Sequence, residues 1–90
     1  PVDAVVRPEL RDCRTICCAN KQRSDCIYFS GVTIDQFLFF LRWMDYPERL
    51  RSFVEEHDSL LDHLLFDVGF DYRMEAGELV VIKSAYYGNF

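Results

Sequence analysis

Between Ile34 and Met44 the chain places Phe37, Leu38, Phe39, Phe40, Leu41, Trp43 and Met44 almost without interruption, with a narrow polar stripe through Asp35, Arg42 and Asp45. Just before this run, Thr33 and Gln36 stand at capping-box spacing, and Val32 and Phe37 occupy the two positions of a hydrophobic staple. A helix that starts at Ile34 and is apolar nearly all round must be covered on most of its sides. A chain of 90 residues builds one hydrophobic core, so the remaining elements have to wrap this helix, and residues 1–90 read as a single domain. Half of the residues are hydrophobic, enough to offset chain entropy, which excludes a disordered chain.

The other elements follow from punctuation and period. Val2 to Val6 is short and β-branched and reads as a first strand. Pro8 suits the first turn of a helix running to about Ala19, with Leu10, Cys13, Ile16 and Cys17 at three- and four-residue spacing and Asn20 closing it. Asn20 to Asp25 reads as a loop, and Cys26 to Phe29 as a short buried strand. Asp45 with Glu48 forms a second capping-box pattern around Pro47. From there Leu50, Phe53, Val54, His57, Leu60, Leu61, Leu64, Leu65 and Val68 predict one long amphipathic helix closed by Gly69.

After Gly69 the period becomes two: Phe70, Tyr72 and Met74 alternate with Asp71, Arg73 and Glu75, and Ala76-Gly77 turns the chain into Glu78 to Lys83. Leu79 to Ile82 is apolar on both faces, which predicts that the second arm of this hairpin is the more buried. The tail from Ala85 to Phe90 is either docked or an exposed aromatic end. The expected fold is α+β: a small antiparallel sheet, the C-terminal hairpin plus a strand near 26–29, packed on two or three helices. In element order, though in no residue motif, this is similar to a winged helix, a resemblance that implies a DNA-binding regulator meeting phosphate through Arg49, Arg51 and Arg73.

Sites of chemistry are sparse. Cys13, Cys17, Cys18 and Cys26 lack the paired knuckles of a structural zinc site, and adjacent Cys17 and Cys18 point in different directions. They read as packing residues, with a zinc or redox protein built on Cys13, Cys17 and Cys26 as the alternative. His57 falls in the apolar stripe as a core histidine, and His63 with Asp67 reads as an i to i+4 surface pair. The glycines are dispersed and form no phosphate loop. No catalytic residue, metal ligand or cofactor is expected, and the chain reads as no enzyme.

Charge is more informative. Residues 1–30 are net +1, whereas residues 31–90 hold five basic and eleven acidic side chains. The net −5 has the wrong sign for a protein held to nucleic acid or anionic lipid by charge. No apolar run approaches the roughly 18 residues of a membrane span, and the N-terminus lacks a signal-peptide layout, so a soluble, cytoplasmic protein is expected. Glu55, Glu56, Asp58, Asp62, Asp67, Asp71, Glu75 and Glu78 are expected to form one acidic panel that a basic protein would neutralise. The partner-binding residues so assigned are Glu55, Glu56, Asp58, Asp62 and Asp67, with Trp43, Tyr86 and Tyr87 as aromatic anchors. The functional expectation is a small acidic adaptor or inhibitor, its carboxylates standing in for phosphates where the partner's surface is a nucleic-acid channel. Self-association is expected through the apolar helix.

Overall fold

The computed structural model describes residues 5–20 and 24–89. Among them a short helix α1 (Pro8–Arg11) is followed by strands β1 (Thr15–Asn20) and β2 (Asp25–Val32). Helices α2 (Ile34–Trp43), α3 (Glu48–Glu56) and α4 (Asp58–Leu61) then precede the hairpin strands β3 (Leu65–Glu75) and β4 (Glu78–Asn89). The sheet runs β1-β2-β3-β4 with every neighbouring pair antiparallel, and the three helices bridge the two central strands. This is the α+β class expected, with the hairpin and the strand near 26–29 in one sheet packed on helices.

The capping box forms. Thr33 Oγ1 accepts from the Gln36 amide at 3.3 Å, and Gln36 Oε1 accepts from the Thr33 amide at 2.8 Å. Gln36 Nε2 also donates to the Asp12 and Glu9 carbonyls at 2.7 and 3.3 Å, which ties the start of α2 to the segment after α1. From α2, Ile34, Phe37, Phe40 and Leu41 are buried among Ile27, Phe29 and Val32 of β2 and Phe66, Val68 and Phe70 of β3, with Leu10 and Val5 completing the core. Phe37 stacks on Phe66 with ring centroids 4.5 Å apart. Complete burial of a phenylalanine such as Phe29, Phe40 or Phe70 contributes roughly 1.5–3 kcal/mol, so this cluster dominates the fold's stability.

The chain departs from the sequence expectations where two periods compete. The expected helix from Pro8 to Ala19 stops at Arg11, and Thr15–Asn20 is a strand whose ladder to β2 runs from Thr15↔Ser30 to Asn20↔Asp25. A short helix with β-branched Thr15 and Ile16 is marginal alone, whereas the ladder gives these backbone groups partners at once. Asn20 is therefore a strand residue rather than a helix end. The long helix after Pro47 breaks at His57, and Leu65 and Val68 belong to β3, where Phe66, Val68 and Phe70 alternate into the core. Gly69 lies mid-strand and closes no helix. With a strand in place of the first helix, the winged-helix order is not formed.

Two smaller corrections concern turns and edges. Asp45 and Glu48 make no capping box; Pro47 is the residue before α3, and no side chain caps it. Asp45 instead takes φ 57 and closes α2, its amide donating to Arg42 O at 3.1 Å and that of Tyr46 to Leu41 O at 2.9 Å. At the hairpin tip Ala76 and Gly77 have φ 53 and 81, the paired left-handed residues of a two-residue turn. The buried arm is β3, not β4: Val81 and Ile82 are exposed because β4 is an edge strand. The expected strand Val2 to Val6 lies largely outside the described residues, as does Phe90.

Candidate functional site

The α3–α4 corner is where the fold leaves apolar and acidic groups together in solvent. Glu48 favours the start of α3 by its charge, and the inward side of the corner is Leu50, Val54 and Leu61, of which only Val54 is fully buried. The chain then breaks at His57, whose Nδ1 donates to the Phe53 carbonyl at 2.8 Å and whose ring stacks on Phe53 at 4.2 Å. That break ends the helical stripe that the sequence carries on to Val68, and within α3 Phe53 lies beside the buried face of Val54 rather than on it. Phe53 is left 56% exposed and Leu60 66% exposed. Glu55, Glu56, Asp58 and Asp62 surround them, all exposed, and none makes an ion pair among the described residues. Pro47, Arg49, Leu50 and Phe53 line an open, mainly apolar hollow of about 400 Å³ beside this group.

The remaining acids belong elsewhere, so the single panel expected from sequence is divided. Asp67 projects from the sheet face turned away from the helices, where Ser30 Oγ and the Gly31 amide donate to its Oδ1 at 2.9 and 3.1 Å. It holds the bulge between Ser30 and Val32, and as a strand residue it cannot form the i to i+4 pair with His63. Asp71 is buried with Lys83 Nζ 3.6 Å from its carboxylate. At the hairpin tip Glu75 pairs with Arg73 at 3.2 Å and lies opposite Glu78.

The aromatic anchors are divided in the same way. Trp43 is half-buried edge-on to Phe70, with centroids 5.1 Å apart, and Tyr86 packs on Phe37 and Tyr46 at 5.3 and 5.5 Å. Both lie against core-side rings, Trp43 half-buried and Tyr86 still 38% exposed. Tyr87 is 61% exposed, on the open face of the sheet beside Asp67. Of the apolar residues of α2, Ile34, Phe37, Phe40 and Leu41 are consumed by the core, whereas Leu38, Phe39, Trp43 and Met44 stay half-buried.

Strand alternation lays out the open face in rows: Thr15, Ser30, Asp67 and Tyr87; then Cys17, Tyr28, Gly69 and Ala85; then Ala19, Cys26, Asp71 and Lys83. The Tyr28 ring lies on Gly69, where any Cβ would collide with it. Tyr28, Tyr87, Asp71 and Lys83 enclose a shallow cleft of about 160 Å³ over Gly69 and Ala85. The coulombic influence of Cys26, then partial burial, pushes the Tyr28 phenol above its ordinary 10.0.

Cys17 and Cys18 are exposed on opposite faces of β1, Cys26 is buried in the open-face rows, and Cys13 is half-buried with its thiol donating to Thr15 O at 3.5 Å. Among the described residues no three His, Cys, Asp or Glu side chains come together as a metal site. His57 sits at the end of α3, only half-buried, and not in the core. Arg49 is exposed and Arg51 half-buried on α3, while Arg73 lies on β3 paired with Glu75. No described helix is long and apolar enough to cross a membrane. Compared with known proteins, the chain matches no family model, no curated protein and no solved structure.

Proposed function

We infer that this protein is a non-enzymatic binding domain, an adaptor or inhibitor, that docks its α3–α4 corner into an apolar groove flanked by basic residues on another protein. The observation that carries this reading is the exposure of Phe53 and Leu60 among the carboxylates of Glu55, Glu56, Asp58 and Asp62. Large apolar groups held in solvent are the kind of surface that association removes from water, and aromatic side chains are enriched among interface anchors. Four neighbouring carboxylates repel one another until a basic partner meets them, and their field speeds its approach. The two features favour the same occupant: a partner apolar at its centre and basic at its rim. Trp43 and Tyr86, which pack against Phe70 and against Phe37 and Tyr46, are not part of the docking surface proposed here, and Phe53 takes the anchoring role.

Two variants test this reading against an extract of the native host. One carries Glu55→Lys, Asp58→Lys and Asp62→Lys; the other carries Phe53→Ser and Leu60→Ser. All five positions are exposed, so both variants are expected to fold with an unchanged circular dichroism spectrum. A protein captured by the wild type and lost by both is the expected result. If every captured protein is retained by both variants, the corner is not the docking surface.

A further inference from the structure

The open face of the sheet brings a nearly buried carboxylate, an exposed ammonium and two phenol rings around one bare patch of backbone. Asp71 and Lys83 stand directly opposite each other on β3 and β4, one same-face row from Gly69 and Ala85 and two rows from Tyr87. The Asp71 side chain is 8% exposed, whereas that of Lys83 is 73% exposed and places its ammonium 3.6 Å from the carboxylate. Glycine and alanine raise no bulk from the floor, and Tyr28 flanks it from β2 with its ring laid over Gly69. The result is the cleft of about 160 Å³ described above. Pockets that enclose a whole drug-sized ligand are roughly 300–1,000 Å³, so this one takes a single planar ring system and leaves its substituents outside.

We propose that this cleft binds a guanine base, which lies against the Tyr28 ring, is closed in by Tyr87 and turns its hydrogen-bonding edge to Asp71 and Lys83. The rings account for flatness, since aromatic side chains take bases by their faces with little regard to which base it is. The edge accounts for choice. A carboxylate offers only acceptors and an ammonium only donors. Guanine carries two N–H donors side by side, on N1 and N2, with the carbonyl oxygen O6 next to them; the donors reach Asp71 while O6 accepts from Lys83. Adenine and cytosine set a bare ring nitrogen beside their amino group, which a carboxylate repels, and uracil has one N–H between two carbonyl oxygens. Hydrogen bonds to a carboxylate drawn back from water are charge-assisted, so this difference is read strongly. The base is uncharged, and the net −5 of the chain does not oppose it.

The test is an NMR titration of the isotope-labelled protein with GMP, AMP, CMP and UMP, each to about 10 mM, the range a ligand this small requires. The four share a phosphate and a ribose, so a difference between them belongs to the base. GMP is expected to shift the amides of Gly69, Asp71 and Ala85 saturably and to bind at least about tenfold more tightly than the other three. Tyr87→Leu and Lys83→Met, both at exposed positions, are each expected to weaken GMP at least about fivefold with an unchanged circular dichroism spectrum. Asp71→Asn replaces one acceptor oxygen by a donor and is expected to remove the preference for GMP. A single-stranded uridine oligonucleotide carrying one guanine separates the sources of the base: binding tighter than that of GMP assigns it to a strand, and binding no tighter assigns it to a free nucleotide. No saturable shift with GMP, equal affinity for all four, or GMP binding unaltered by both Tyr87→Leu and Lys83→Met overturns the proposal. None of these outcomes bears on the α3–α4 corner, no residue of which lines the cleft.

Discussion

At the scale of single residues, Asp45 and Ala76 stand, among the described residues, where glycine is the easier choice. Asp45 takes a left-handed backbone to let the Tyr46 and Asp45 amides satisfy the last carbonyls of α2. An L-residue pays roughly 1–2 kcal/mol for that conformation, less for aspartate than for most. Asp45→Gly is therefore expected to stabilise the protein by about 1 kcal/mol, raising the melting temperature by roughly 4–8 °C in a domain of this size. A thermal melt of the two proteins checks it, and an unchanged or lower midpoint contradicts the helix-closing role of Asp45. Gly69 shows the opposite constraint: its hydrogen is needed where it stands, because the Tyr28 ring occupies the space of a side chain. That demand arises from a residue forty-one positions away and is invisible to any local pattern.

Among the elements, α2 is the one whose start is fixed twice. Gln36 accepts from the Thr33 amide and donates to the Asp12 and Glu9 carbonyls. Glutamate serves a capping box as well as glutamine does, but it has no N–H to offer those two carbonyls. Gln36→Glu is expected to lower stability by about 1–2 kcal/mol, measured by urea denaturation, although the cap itself is kept. Equal stability of the two proteins shows that the bridge to α1 contributes nothing. The same element explains what sequence reading captured. Thr33, Gln36, Val32 and Phe37 act within one turn of each other, so the start of α2 was legible, as was the Ala76-Gly77 turn. The segments after Arg11 and after His57 were not: Leu10, Cys13 and Ile16, or Leu61, Leu65 and Val68, fit a helical spacing, and only pairing with distant strands made parts of them β. Phe53 and Leu60 were hidden by the same ambiguity, since a continuous stripe placed them in the core.

Over the whole molecule, the titration of partly buried groups sets an alkaline limit. Burial first, then the coulombic influence of Asp25, Cys18 and Cys26, holds the Tyr72 phenol above its ordinary 10.0. Burial first, with Asp12 adding to it, holds the Cys13 thiol above 9.0 against the hydrogen bonds from the backbone at Thr15 and Ser30. Both groups bind their proton more tightly folded than unfolded. Their contribution is thus complete below the unfolded values and is lost as pH rises through the folded ones. Denaturation midpoints are expected to fall as pH rises above about 8.5, where the unfolded thiol ionises, and further above about 10, where the unfolded phenol does, and Tyr72→Phe is expected to flatten the upper part of that fall. A Tyr72→Phe profile parallel to that of the wild type contradicts the assignment. The long β3–β4 hairpin, exposed at its tip, sets Glu75 opposite Glu78 in a molecule of 41 × 26 × 21 Å.

By itself the sequence determined the α+β class, the bounds of α2 and the hairpin turn, because those depend on side chains within a few residues of each other acting on their own backbone. Tertiary structure alone decided that Thr15–Asn20 is a strand, that the stripe after Pro47 breaks at His57, and that the carboxylates separate into a helical group and a sheet group. A local period states which side chains could share a face. Which face meets the core is settled only when a strand such as β2 arrives to accept hydrogen bonds from both neighbours, and that partner lies far along the chain.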